Sequence, residues 1–124
     1  MKILILTADP KTLLCHRKEL IRSLALRGWE VVGAASGEGG AAAEFLKSLG
    51  GRYIALGGAR SGLNPLEDYR SYKMLRALMR AERPDALLPY TIKAVCYGSL
   101  AAAKEGVPAI YPLICGLGYA FADE

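Results

Sequence analysis

The stretch Pro84-Asp-Ala-Leu-Leu-Pro-Tyr-Thr-Ile-Lys-Ala-Val-Cys-Tyr-Gly-Ser99 decides how the rest of the chain is read. It opens as a short apolar strand announced by a proline. Past it, Leu100-Ala-Ala-Ala-Lys-Glu105 reads as a helix stopped by Gly106. Tyr90 to Lys93 therefore falls where a buried strand turns into a helix, at the strand's carboxyl end. In open parallel sheets ligands bind at that edge. A fresh helix N-terminus there also offers unpaired N–H groups to an anion.

The same alternation of strand and helix runs through the whole chain. Lys2-Ile-Leu-Ile-Leu-Thr7 is the unbroken apolar run of a strand buried on both faces. Ala8-Asp-Pro-Lys11 is a loop, and Thr12 can cap a helix reaching Arg27, with Leu13, Leu20, Ile21 and Leu24 at helical spacing. Gly28 stops it. Glu30-Val-Val-Gly-Ala-Ala35 is the second strand, Ala41 to Leu49 a short helix, and Tyr53-Ile-Ala-Leu56 the third strand. Asn64 and Pro65 suit the N-cap and first position of a helix running to Arg83. A fifth strand, Pro108-Ala-Ile-Tyr-Pro-Leu-Ile114, leads into Cys115-Gly-Leu-Gly-Tyr119.

This pattern predicts an α/β fold: a Rossmann-like, doubly wound parallel sheet with right-handed crossovers and strand order 3-2-1-4-5. The order reverses between strands one and four and leaves a crevice there. Ala8–Lys11 and Tyr90–Lys93 flank it, with Cys115–Tyr119 next in line.

With 124 residues, 52% of them hydrophobic, the chain supports one core and one domain. The apolar run ending at Phe121 is broken by Pro108, Pro112, Gly116 and Gly118, which argues against a membrane span. The N-terminus passes straight into a strand and lacks the form of a signal peptide. Three cysteines (Cys15, Cys96, Cys115) without a CxxC pair, and one histidine, exclude a zinc-type ligand cluster and fit a reducing cytoplasm. A net charge of +4 suits an anionic ligand or an anionic membrane face and is too small to argue for nucleic acid.

The usual nucleotide signatures are missing. The turn Thr7-Ala-Asp-Pro-Lys-Thr12 has no glycine, so neither a dinucleotide fingerprint nor a phosphate-binding P-loop is present. Several residues at the crevice carry two readings. Thr91 could cap a helix with Lys93 solvated, although a lysine in the first turn opposes the helix dipole. Gly116 and Gly118 permit either a tight turn or close approach of a ligand to the backbone. Asp9 could act as a base or cap the turn before Pro10. His16 reads as a packing or surface residue, and the cysteines as small fillers. Arg60-Ser-Gly-Leu-Asn-Pro65 reads as an ordered helix start. Lys73, Arg76, Arg80 and Arg83 form a basic stripe, by default a solvated face and secondarily a membrane-facing one.

One succession of motifs goes further. It comprises Gly62-Leu-Asn-Pro65, Arg83-Pro-Asp-Ala-Leu-Leu88, Tyr90-Thr-Ile-Lys93, Tyr97-Gly-Ser-Leu-Ala-Ala102, Gly106-Val-Pro108 and Gly116-Leu-Gly-Tyr-Ala-Phe121. Together with Arg17 and Gly28-Trp-Glu-Val31, it resembles the N-terminal half of family-4 glycosyltransferases of the GT-B fold. The resemblance is to those that assemble bacterial polysaccharide and glycan units on a polyprenyl-diphosphate carrier, and it covers residues 1–121. Ala94 stands where a proline is common, Cys115 where a threonine commonly precedes Gly-Leu-Gly, and Asp9-Pro10 in a loop usually richer in Ser, Asn or Gly.

The resemblance implies a hexosyltransferase of two domains, this one binding the acceptor and a C-terminal one, absent from the chain, holding the sugar nucleotide. It implies transfer with retention, no cofactor and no essential metal, and a cytoplasmic protein working at the inner face of the membrane. The chain alone would be an inactive, truncated acceptor domain. Lys93 and the amides near Thr91 would face the acceptor or its diphosphate, and Arg17 would bind that diphosphate. Gly116 and Gly118 would let the chain pass close to the sugars at the domain cleft, and Asp9 and Tyr90, at the crevice, complete the candidate substrate-binding residues. The partners expected are therefore a sugar nucleotide, through the other domain, and a lipid-linked glycan acceptor, with peripheral membrane contact. Two alternatives are the matching half of a GT-B-like sugar-nucleotide epimerase and a non-catalytic subunit that docks a separate catalytic chain on the membrane.

Overall fold

The computed structural model describes residues 1–15, 17–56, 65–91 and 94–113. The expectations for His16, Lys93, Gly116, Gly118, Cys115 and the segment 60–64 lie outside the described residues. Five parallel strands form the sheet: β1 (Lys2–Leu6), β2 (Glu30–Ser36), β3 (Arg52–Leu56), β4 (Ala86–Pro89) and β5 (Ala109–Ile110). Their order is β3-β2-β1-β4-β5, as the alternation predicts. β1 pairs on one side with β2, Ile3 opposite Val31, and on the other with β4, Leu4 opposite Leu87.

The unbroken apolar run of β1 has a simple cause. Successive side chains alternate between faces, and helices cover both. On one face Leu4 and Leu6 pack with Val32, Leu87, Leu75 and Met79. On the other Ile3 and Ile5 pack with Val31, Leu13, Ile21 and Leu46. Each such fully buried aliphatic side chain contributes about 2 kcal/mol of burial free energy.

The helices are α1 (Lys11–Cys15), α2 (Lys18–Leu26), α3 (Ala41–Ser48), α4 (Pro65–Glu82) and α5 (Ser99–Lys104). Two expectations are corrected. The single helix from Thr12 to Arg27 is two pieces, because Arg17 at the start of α2 has a non-helical backbone (φ −123°, ψ 7°). The pieces pack on different elements, α1 on α3 and α2 on β2, while both keep a buried anchor, Leu13 and Ile21. The fifth strand is shorter than residues 108–114. Tyr111 and Leu113 still donate to the Leu87 and Pro89 carbonyls at 2.8 and 2.9 Å. Pro112 between them has no N–H to offer, which is the mark of an edge strand.

The amino end of the sheet is held by charges. The Glu82 carboxylate takes hydrogen bonds from Arg52 and Lys2, and the Lys2 backbone N–H reaches Asp85 Oδ2 at 2.8 Å. Arg52's hydrogen bond, reinforced by Lys2, holds Glu82 below the ordinary carboxylate range despite partial burial. A depressed carboxylate stabilises the fold above its unfolded pKa and loses that contribution as pH falls through the folded one. We expect acid to remove this contribution as pH falls below the ordinary glutamate range, and Glu82→Gln to flatten that limb of a urea-midpoint profile. An unchanged acid limb in the variant would show that the cluster adds nothing. The basic stripe is also partly committed: Arg76 Nε and Arg80 Nε donate to Glu105 at 2.8 and 3.0 Å.

Candidate functional site

At the carboxyl end of β1 the two ladders separate. Tyr90 N–H donates to Leu6 C=O at 2.9 Å on the β4 side, and Thr7 N–H donates to Ala34 C=O at 3.0 Å on the β2 side. The loop 8–10 rises in the gap. This is the switch point that the strand order dictates, and it collects Asp9, Arg17, Tyr90 and Thr91 from three segments.

Thr12 is the hub. Its hydroxyl donates to the Asp9 main-chain oxygen at 2.7 Å. A hydroxyl has one proton, so the Tyr90 hydroxyl at 2.9 Å must donate to Thr12, and the Thr7 hydroxyl at 3.3 Å does the same. Thr12 is thus not the helix cap that its position suggests, because α1 already begins at Lys11. The cap is Asp9, whose Oδ1 accepts from Lys11 N–H at 3.0 Å. Of Asp9's two readings, the turn-capping one is realised in this geometry. Asp9 also faces Tyr53. Burial, with the Asp9 charge second, pushes the Tyr53 hydroxyl above its ordinary pKa. That hydroxyl directs its one proton to the Gly37 carbonyl at 2.6 Å, with the Ala35 carbonyl 3.1 Å away, closing the rim on the β3 side.

Tyr90 is 2% exposed, and the Arg17 guanidinium lies 4.7 Å from the centre of its ring. A cation on an aromatic face is worth about 1 kcal/mol, and here it fixes a half-buried positive charge at the crevice. The break between α1 and α2 makes this placement: Arg17 is the N-cap residue of α2 and has no side-chain capping bond there. Basic residues at a helix start oppose the dipole, so Arg17 and Lys18 raise the positive potential at the start of α2.

Thr91 follows with φ +83°, and its buried hydroxyl oxygen has no hydrogen-bond partner among the described residues. Of its two readings, the capping one is not realised among the described residues. A cap side chain folds back from an extended backbone, which a positive φ does not provide. The link onward is from the main chain, Val95 N–H to Thr91 C=O at 2.9 Å, into a π-helical turn (Ala94–Gly98) that precedes α5. Single π-turns recur at functional sites. A β-branched residue in the left-handed region is strained by about 1–2 kcal/mol. Thr91→Gly should therefore raise stability by about 1 kcal/mol after glycine's own entropy cost, read as a higher urea midpoint. A lower midpoint would mean that the threonine is not strained.

The arrangement places one guanidinium and one carboxylate at the crevice, backed by hydroxyls that bond to one another and to the main chain. Among the described residues no group of three His, Cys, Asp or Glu is placed to hold a metal ion. Arg17 meets Tyr90, and Tyr90 is linked through Thr12 to Asp9, with Thr91 next to Tyr90 in the chain. Thr7, Thr12 and Tyr53 were not foreseen as parts of the site. The spacing of Thr7 and Thr12, one at a strand end and one in the following helix, was the available signal for the first two.

Comparison with known proteins gives the site its setting. No curated protein matches the chain by sequence. Among solved structures, MurG of Acinetobacter baumannii superposes with a TM-score of 0.67 at 18% identity, over 98% of this chain and 38% of that one. The glycotransferase of kitacinnamycin gives 0.64 at 21% identity, over 98% and 33%. A UDP-N-acetylglucosamine 2-epimerase gives 0.67 at 16% identity, over 97% and 34%. At these identities the likeness speaks for the fold, and the chain spans about a third of the length of the structures it matches. The sequence family described as glycosyl transferase 4-like matches residues 2–123. With its sheet of the GT-B type, the chain belongs to the glycosyl transferase 4-like family.

Proposed function

We propose that this chain is the acceptor-binding half of a glycosyltransferase. The whole enzyme would move a hexose from a sugar nucleotide to a glycan acceptor carried on a polyprenyl diphosphate, in polysaccharide assembly. The observation that supports this best is Arg17, a guanidinium seated on the buried Tyr90 ring at the switch-point crevice. A diphosphate is the ligand that such a charge, at the positive end of the α2 dipole, is suited to hold. Lys93 would add a second cation in this reading, and Gly116 and Gly118 would let the chain pass close to the sugars. Asp9, Tyr90 and Thr91, from the same crevice, complete the acceptor-binding set in this reading.

The nucleotide-binding half would come from a further domain, so this chain supplies binding and positioning rather than turnover. No helix among the described residues is long and apolar enough to cross a membrane. A lipid-linked acceptor would instead be met at the inner face of a membrane. α2 fits that contact, because Leu20 and Leu26 are exposed beside Lys18, Arg22 and Arg27.

A titration of the chain with a short-chain polyprenyl-diphosphate sugar and, separately, with a uridine-diphosphate sugar tests the reading. Binding of the lipid-linked compound that weakens about tenfold in Arg17→Ala, with no response to the nucleotide, is expected. Nucleotide binding alone would favour the second reading, an epimerase-like half, which has support in the superposition on a UDP-N-acetylglucosamine 2-epimerase.

A further inference from the structure

A second feature lies on the other side of the sheet, between the first turns of α4 and the π-turn with α5. A groove of about 530 Å³ is lined there by Asp68, Tyr69, Tyr72, Tyr97 and Leu100. Its volume is in the range of small-ligand sites. Tyr69 is 54% exposed and Leu100 58%, so the apolar walls are open to solvent. The side chains are nevertheless held in place. Tyr97 donates its hydroxyl to Asp68 Oδ2 at 3.2 Å, and the Lys73 ammonium lies 4.9 Å from the centre of the Tyr69 ring. Ordered tyrosines beside a carboxylate differ from the Leu- and Phe-rich faces that pack against helices.

We infer that this groove is a carbohydrate subsite, binding neutral sugar units of a glycan. A pyranose has an apolar C–H face and a rim of hydroxyls. Tyrosine rings offer flat apolar faces with polar tips, and Asp68 offers acceptors for the hydroxyls. A partner helix and an anionic membrane, which the Lys73 ammonium beside Tyr69 would attract, are the competing occupants. The helices lining the groove start at the same sheet edge as the crevice, on the opposite face. A glycan extending from the crevice thus has a second place to rest. The inference deepens the acceptor reading and rests on it for the identity of the ligand.

The test is NMR titration of the 124-residue chain with chitotetraose, maltotetraose, xylotetraose and mannotetraose. At least one should shift the ring resonances of Tyr69, Tyr72 and Tyr97. Tyr69→Ala, at an exposed position, should weaken that binding about fivefold, while Arg17→Ala leaves it unchanged. No shift up to about 5 mM, or equal binding in Tyr69→Ala, would overturn the inference. So would phosphatidylglycerol vesicles that perturb these tyrosines when no saccharide does. If the saccharides are silent while lipid-diphosphate binding still depends on Arg17, the groove alone falls and the crevice reading stands.

Discussion

Tyr90→Ala should lower stability by about 4 kcal/mol, the middle of the range for removing a buried aromatic side chain. For a domain of this size that is a loss of roughly 15 °C in melting temperature. Three consequences coincide in one substitution. The ring, 2% exposed, leaves a void in the core layer that contains Ile5, Leu13 and Ile21. Thr12 loses the hydroxyl that donates to it. Arg17 loses the aromatic face that seats its charge. Tyr90→Phe separates these effects, since it keeps the ring and removes only the hydroxyl. That variant should cost about 1 kcal/mol and bind the lipid-diphosphate probe as the parent does. Equal losses in the two variants would show that the hydroxyl network, rather than the ring, holds the crevice together.

Gly51→Ala should cost about 3 kcal/mol, at the upper end for an overpacked position. Gly51 joins α3 to β3, and its N–H donates to Leu46 C=O at 2.8 Å. A Cβ there would press into the Val31 carbonyl oxygen, with the Leu46 carbonyl 3.3 Å away on another side. Both neighbours are backbone, in β2 and in the end of α3, so neither can rotate aside as a flexible side chain would. Equilibrium unfolding in urea measures the effect. A loss under about 0.5 kcal/mol would mean that α3 and β3 can separate without disturbing β2. By contrast, Gly50 next to it has φ +82° with open space around it, so alanine there meets conformational strain rather than collision.

The fold was legible from local signals because they agree with one another. Apolar runs such as residues 2–6 and 86–88 need cover on both faces, and helices alternating with them supply it. Right-handed crossovers then leave few strand orders, and the one observed follows. The crevice between β1 and β4 was legible for the same reason: it is a property of strand order and needs no particular side chain. Asp9, Tyr90 and Thr91 could be assigned to it because each follows directly on a strand of the pair.

Tertiary structure decided the rest. Helical periodicity runs through residues 12–27 without interruption, yet the helix breaks at Arg17, where α1 and α2 take different packing partners. Arg17's seat on Tyr90 joins residues far apart in the chain, which no local pattern records. The positive φ of Thr91 is invisible in sequence because a threonine there runs against preference, and the surrounding structure must impose it. Thr12 looks like a cap from its neighbours and becomes the hub of the site only because Tyr90 arrives beside it from β4. Sequence by itself determined the layers, the strand order and the place of the crevice, because these follow from burial and chain connectivity. Which side chains meet in that crevice, and with what charge and strain, depended on contacts between segments that only the folded chain brings within reach.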